Sequence, residues 1–363
     1  MDWDFSSLFN EAIRSLPERA MVRRDYLWAS ELKMDVYSRY LRMWAHPMSN
    51  PPTDRSKRKF VSGHIVEWIV GLILTMCGIL KAKQLRGEVQ LPGLLKVSGK
   101  LDFVAGGEII DWEKTKEDVK RIQSLFAVSM DDMPPIIKHA TDHVLSKMQM
   151  MFTLVPLKEN IIEVKSCAGM IMKLIQKSNQ PRPRHVMQPF HYLLANKEIP
   201  QAQLLYISKD DAIMESFVVQ RTKPLLKIYH DDVKIMTDYY NASGKNYLKN
   251  LPPIESELIF EPDSFSFQKN MNVQYSNYLT LGWGYKDYDE FELKFAPLKA
   301  SYNRVFKRHV LEGKEVKGKL MKLTTANIEI IAEAKKTFPD WDKFVDDARK
   351  SGAFEKQEEG EDD

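Results

Sequence analysis

Glu163-Val164-Lys165 closes an apolar run that begins at Ile161, and such a run reads as a strand. Side chains alternate across a strand, so Glu163 and Lys165 share one face while Val164 packs into the other. A carboxylate and an ammonium are thereby fixed side by side. On its own the pattern more often marks a solvated cross-strand ion pair than a reacting group. Ser98-Gly99-Lys100-Leu101-Asp102 lies within a second strand-like stretch. Glycine inside a strand packs nothing and often marks close approach of another backbone or a ligand. Asp102 then offers a second carboxylate near a sheet end, the plainer alternative being a turn glycine beside an exposed Asp. His64 and Glu67, three apart on an otherwise apolar helix, share a face that Gly71 continues without a side chain. They are either a buried His satisfied by its own Glu, or part of a hard-metal site in which imidazole joins carboxylates from the sheet. Gln188 and Tyr192, four apart on a later helix, also face one way. Amide, hydroxyl and ring suit phosphate and base contacts; two polar tips on an amphipathic helix are the simpler account.

The elements that must position these groups follow from periodicity. Residues 1–50 are expected to be helical, with Trp28, Leu32, Val36, Tyr40 and Trp44 at four-residue spacing on one stripe. Residues 51–59 (PPTDRSKRK), with two prolines and four bases, are expected to form an exposed loop, and helical spacing resumes over 63–80. Segments 88–91 and 96–105 have β character, and Gly106-Gly107 opens the run 108–112 as a hairpin. Residues 114–150, interrupted at Pro134-Pro135, read as two helices. Further along, 160–164 is a strand, 187–196 a helix, 203–208 a buried strand and 222–240 a helix. The stretch 246–300 is aromatic and turn-rich, and 301–311 and 324–336 are further helices. Strands interleaved with helices predict an α/β sheet covered on both faces.

Composition narrows the classes. The chain has 363 residues, 44% apolar, with 53 Lys and Arg against 50 Asp and Glu. That is too apolar and too mixed for a disordered or fibrous chain. Only two cysteines are present, which excludes a disulfide scaffold and any tetrathiolate zinc or iron–sulfur site; they read as reduced thiols. The last nine residues hold six acids and one Lys, so residues 1–354 carry 52 bases against 44 acids, a charge of +8 under an overall +3. Such a body suits a polyanion partner. The N-terminus lacks the basic start and cleavage site of a signal peptide. The most apolar stretch, 68–80, falls short of the roughly 20 residues that a spanning helix needs. A cytoplasmic location, the host cytoplasm if the chain is viral, is expected, with no membrane partner.

Taken in order, the four pieces SGHIVEW, VSGKLDFV, IIEVKSC and QPFHY resemble the RecB-like branch of the PD-(D/E)XK nuclease superfamily. That branch carries a helix with His, a strand with Gly-x-x-Asp, a strand with (Asp/Glu)-x-Lys and a helix with Gln-x-x-x-Tyr. AQLLYIS falls where the family places its next strand, and WASELKMDVYSRYL looks like its N-terminal segment, with Ser30, Glu31, Leu32 and Arg39 in place. The resemblance covers roughly residues 26–210. It implies an α/β, restriction-endonuclease-like central mixed sheet flanked by helices, with a helical insertion and a C-terminal helical or mixed region. The corresponding segments are 1–60 as an N-terminal helical part, 61–220 as the nuclease core with the insertion at about 114–156, 221–345 as an accessory region and 346–363 as an acidic tail. Two departures stand out. Asp102 and Glu163 are 61 positions apart, longer than the family's usual hairpin. EIIDWEK (108–114) mimics the acidic motif but puts Glu113 where Lys is required. Many relatives also hold an iron–sulfur cluster. Here Met34 and Asp35 stand near the first cysteine position and LGWGYKDYDEF (281–291) near the last three, so no cluster is expected and aromatic packing would take its place.

As the resemblance implies, His64, Asp102, Glu163 and the Val164 carbonyl would hold one or two Mg²⁺ or Mn²⁺ ions, with Glu67 as an accessory ligand. Asp102, Glu163 and Lys165 would be the catalytic set. Gln188, Tyr192, Lys173, Lys177, Arg182 and Arg184 would bind substrate. Other bases, Arg55, Lys57, Arg58 and Lys59 before the His helix and Arg304, Lys307 and Arg308 later, would track a phosphate backbone, although any one cluster also reads as a solvated loop. The insertion is expected to arch over the site and thread a strand. The implied activity is a metal-dependent exonuclease acting on DNA, on single strands or ends, in replication, recombination or repair. The alternatives are a structure-specific endonuclease of the same fold and a non-catalytic nucleic-acid-binding protein. No Gly-x-x-x-x-Gly-Lys-Ser/Thr loop is present, so strand separation would fall to a helicase or single-strand-binding partner.

Overall fold

The computed structural model describes residues 11–15, 21–76, 79–107, 117, 157–244, 246–261, 266–295, 342, 343, 346 and 350. The expected hairpin arm at 108–112, the helices at 301–311 and 324–336, the insertion apart from residue 117 and the acidic tail apart from residues 346 and 350 lie outside these residues. The chain divides into two compact units, residues 1–46 with 52–252, and residues 47–51 with 253–363.

The first unit is built on a five-stranded mixed sheet in the order β2-β5-β6-β7-β8. Its strands are β2 (Leu80–Lys83), β5 (Phe103–Gly107), β6 (Leu157–Cys167), β7 (Gln201–Ser208) and β8 (Met214–Gln220). β6 and β7 run parallel and the other neighbours antiparallel. The two parallel strands are joined through α3 (Gly169–Ser178) and α4 (Pro183–Ala195). A second, three-stranded sheet sets β4 (Lys96–Lys100) between β1 (Tyr26–Trp28) and β3 (Arg86–Val89). The expected strand over 96–105 is therefore two strands, one in each sheet, which change over at Leu101-Asp102.

Strand alternation sets the layers. Ile162 and Val164 face the same way as Phe103, Leu205 and Ile207, and against them α2 (Asp54–Met76) packs Val66, Val70 and Leu74. Each such side chain contributes about 1.5–3 kcal/mol when fully buried. Ile161, Glu163 and Lys165 face the opposite layer, that of α4, whose Phe190, Tyr192 and Leu193 are buried. Gly71 is what lets α2 come close, since a Cβ there would stand 2.8 Å from the Phe103 ring. On the other side Gly87 and Gly99 are register partners in β3 and β4. A Cβ on Gly99 would meet Ala29 at 2.7 Å and the Tyr192 hydroxyl at 2.9 Å, and one on Gly87 would meet Ala195 at 3.0 Å. The paired absence of side chains is the seat on which α4 lies.

Three local expectations need correction. The stripe from Trp28 to Trp44 is not one helix. Tyr26–Trp28 spend their backbone on parallel pairing with β4, and α1 (Val36–Met43) starts only where the Asp35 side chain accepts the amides of Tyr37 and Ser38. The basic loop begins α2 from Asp54 onward, because Thr53 Oγ1 accepts the Ser56 N–H at 3.3 Å and so caps the first turn. The same helix stops at Met76, and Leu80 opens β2 instead of ending the helix. α5 (Lys223–Ala242) is tied to α1 by a buried fork: Arg39 donates to both Asp232 oxygens at 2.8 and 2.9 Å. Asp232 also accepts the Lys33 N–H, at 3.0 Å.

The second unit pairs β9 (Leu258–Glu261) with β10 (Ser266–Lys269) and adds α6 (Met271–Gln274), α7 (Leu279–Trp283) and α8 (Tyr288–Phe295). Phe291 and Phe295, both buried, pack with ring centroids 4.8 Å apart, and Tyr285 meets Phe291 edge-on at 5.3 Å. Among the described residues no helix is long and apolar enough to cross a membrane.

Candidate active site

The site forms where β4 gives way to β5. There Asp102 leaves the ladder in a bend, and its Oδ2 accepts the Val164 N–H at 2.8 Å. This single bond places one carboxylate at the edge of the strand that carries the other. Glu163 is only 1% exposed. Its Oε1 accepts from the Lys165 ammonium at 2.5 Å, and the same ammonium donates to Gln188 Oε1 at 2.8 Å. Gln188 Nε2 then donates to the Tyr192 hydroxyl at 3.1 Å, and that hydroxyl donates to the Lys100 carbonyl at 2.7 Å. A continuous polar chain thus runs from Glu163 through Lys165, Gln188 and Tyr192 back to the strand that precedes Asp102.

Two carboxylates therefore lie near one ammonium, which binds Glu163 directly and reaches Asp102 only through its charge. Burial, followed by the charge of Glu163, pushes Asp102 up to about 8. Burial likewise raises Glu163, against the opposing pull of Lys165. Glu163 Oε2 is buried without a hydrogen-bond partner. An orphaned buried carboxylate oxygen beside a second carboxylate fits a hard divalent cation, which prefers oxygen ligands and offsets this charge. The fit extends to two acids. Among the described residues no group of three or more His, Cys, Asp and Glu side chains comes together to hold a metal ion. His64 is the residue left out. It sits on α2, across the sheet from the face of Glu163 and Lys165, with its side chain 82% exposed and Nδ1 3.5 Å from Glu67. Glu67 lies closer to the acids, and its charge helps raise both.

Tyr192 corrects the expectation of direct substrate contact. It is 1% exposed, because its ring enters the space over Gly87 and Gly99, and its hydroxyl is spent on Lys100. It cannot stack on a base; it fixes Gln188. Gln188 in turn is half-buried and spends its amide on Lys165 and Tyr192. Arg182 and Arg184 gather at the near end of α4. With Lys165 they add positive charge around His185, which burial first and those cations next depress to about 3. Lys173 and Lys177 stand exposed, four apart on α3. Cys167 ends β6 as a free thiol.

Sequence reading passed over Gln84, His185 and Tyr206. Tyr206 is the β7 register partner of Lys165, and its hydroxyl lies 3.0 Å from His185 Nδ1 and accepts the Arg182 N–H at 3.1 Å. The signal for Tyr206 was its parity in AQLLYIS, readable only once the register with IIEVKSC is known.

Comparison with protein-family models and with curated proteins gives no match. Among solved structures, SSO0001 aligns with a TM-score of 0.36 at 11% identity, over 70% of this chain and 98% of that one. LHK-Exo in complex with dAMP aligns with a TM-score of 0.35 at 11% identity, over 63% and 94%. The alkaline exonuclease LHK-Exo from Laribacter hongkongensis aligns with a TM-score of 0.30 at 12% identity, over 62% and 93%.

Proposed function

We propose that this chain is a metal-dependent nuclease of the PD-(D/E)XK type, RecB-like in motif order, that hydrolyses phosphodiester bonds in DNA as an exonuclease at single strands or ends. The observation that carries this reading is the cluster of Asp102, Glu163 and Lys165, with a buried and a half-buried carboxylate, one ammonium bonded to Glu163 and an orphaned Glu163 oxygen. Asp102 and Glu163, with the Val164 carbonyl, are the groups that would hold Mg²⁺ or Mn²⁺. Such a cation polarises a phosphate and makes a water more acidic. Lys165, held between Glu163 and Gln188, orients the attacking water and offsets negative charge that accumulates on the phosphate oxygens. Gln188 and Tyr192 fix the ammonium in that position. Arg182, Arg184, Lys173 and Lys177 lie on the α3–α4 segment and engage the phosphates of the strand. A role in recombination or repair, and a helicase or single-strand-binding partner, belong to the same proposal.

The test is digestion of end-labelled single strands, duplex and closed circles with Mg²⁺ or Mn²⁺, with a chelator control. Lys165→Ala should remain folded, as checked by circular dichroism, and lose about 10²–10³-fold in rate. Cleavage that persists in Lys165→Ala overturns the site, and digestion of closed circles overturns the exonuclease assignment in favour of an endonuclease.

A further inference from the structure

Gln84 occupies the turn between β2 and β3 with φ +53°, a left-handed conformation that a residue bearing a Cβ adopts only at a cost. Two bonds sit on that turn. The Gln84 N–H donates to the Asp102 carbonyl at 3.0 Å. Its side-chain amide donates to Glu67 Oε1 at 2.6 Å. One strained residue therefore touches the bend that presents Asp102 and the acid on the facing helix.

Glu67 is placed for this by the helix itself. It falls midway between Gly63 and Gly71 at four-residue steps, and both glycines face the sheet, Gly63 toward Ser166 and Gly71 toward Phe103. Glu67 and Gln84 line one groove with His64, Lys83 and Phe103. Since among the described residues no three such side chains converge to hold a metal ion, Glu67 is read as standing outside direct ligation. An outer carboxylate still acts on a hard cation, because Mg²⁺ and Mn²⁺ retain waters to which such a group can hydrogen-bond.

We infer that Gln84 is a positioning residue, which from its left-handed turn holds Glu67 as the outer carboxylate of the divalent-cation site at Asp102 and Glu163. The inference rests on the metal-dependent reading above and adds a residue and a role to it. A glutamine that merely filled a turn would be better replaced by glycine, which adopts φ > 0 freely. The strained conformation is matched by what the side-chain amide holds.

The experiment is Mn²⁺ titration of the full chain, read by loss of the free-ion electron paramagnetic resonance signal, with thermal melting of each variant in chelator. Gln84→Gly keeps the backbone N–H and relieves the turn, so its melting temperature should equal or exceed that of the parent. Its Mn²⁺ affinity should nevertheless fall about tenfold. Glu67→Ala should weaken Mn²⁺ by a similar factor, and Gln84→Gly should add nothing further in that background. Parental Mn²⁺ affinity in Gln84→Gly, or additive losses in the double variant, overturns the inference. Asp102→Asn separates this from failure of the underlying reading. If Asp102→Asn weakens Mn²⁺ while Gln84→Gly does not, only the inference falls; if Asp102→Asn also binds as the parent does, the cation site falls and the inference with it.

Discussion

Two buried ion pairs in the first unit have opposite characters. At Arg39–Asp232 a planar guanidinium meets a carboxylate through two near-parallel bonds, and the Lys33 N–H adds a third to Asp232. One positive group faces one negative group, and both acid oxygens are satisfied. At Lys165 one ammonium is shared by Glu163 and an amide, while Asp102 presses a second carboxylate toward the same place and Glu163 Oε2 goes without a partner. The first pair is balanced in charge and links two helices, and its one buried unpartnered atom is the donor Arg39 Nε rather than a carboxylate oxygen. The second sets two acids beside one ammonium, and burial raises both in pKa, with the Glu163 charge adding to the rise at Asp102. A buried pair that closes on itself stabilises the fold, whereas one left open has room for a ligand of the missing sign.

The contrast can be broken by experiment. The largest effect is expected at the closed pair. Arg39→Ala should cost about 3–5 kcal/mol in chemical denaturation, since Asp232 is left buried and uncompensated; a loss below about 1 kcal/mol would mean the pair is no structural link. The open pair should respond to pH instead. A carboxylate raised in the folded state stabilises below its unfolded pKa, and that contribution is lost as pH rises through the folded value, here about 8. Asp102→Asn should therefore raise the melting temperature of the cation-free protein by several degrees at pH 9 and change it little at pH 4. An equal shift at both pH values would show that Asp102 does not carry this charge penalty.

Smaller effects separate the scaffold from the chemistry. Gly99→Ala should cost about 1–3 kcal/mol by overpacking, because the new methyl meets Ala29 and Tyr192 at once. A neutral substitution there would show that α4 shifts at no cost. Tyr192→Phe removes the bond to Lys100 and the support of Gln188, for a stability loss of about 1 kcal/mol. Its rate should fall severalfold with little change in KM, as expected for a residue that fixes Lys165 without touching substrate. A rise in KM alone would instead restore Tyr192 as a substrate contact.

Much of the site could be read before any fold was known. Alternation along IIEVKSC put Glu163 and Lys165 on one face and Val164 in the core, and the glycine in VSGKLDF marked a close approach that turned out to be Tyr192 and Ala29. Spacing also paired Gln188 with Tyr192. It could not say that Tyr192 would be buried, because the space it fills is made by Gly87 and Gly99 lying opposite each other in β3 and β4. Nor could periodicity tell that the stripe from Trp28 to Trp44 is divided between a strand and a helix. The decision lay with pairing to β4, a partner 70 positions away. The strand β8 and helix α3 were not anticipated either. β8 shows an alternation too exposed to stand out, and α3 has no side-chain cap.

The sequence by itself determined which chemical groups are available and which of them share a face, because both follow from residue type and from the fixed periods of helix and strand. It thereby set an acid and a Lys on one strand, a Gln and a Tyr on one helix, and too few thiols for a cluster. Which faces meet was decided only in three dimensions. Asp102 joins Glu163 because the chain changes sheets at that residue, and His64 stays outside because its side chain stands 82% exposed beside Glu67. Gln84 enters because a turn between two short strands closes over both Asp102 and Glu67. Periodicity is local, while the sum of charges in a buried layer depends on contacts between segments far apart in the chain.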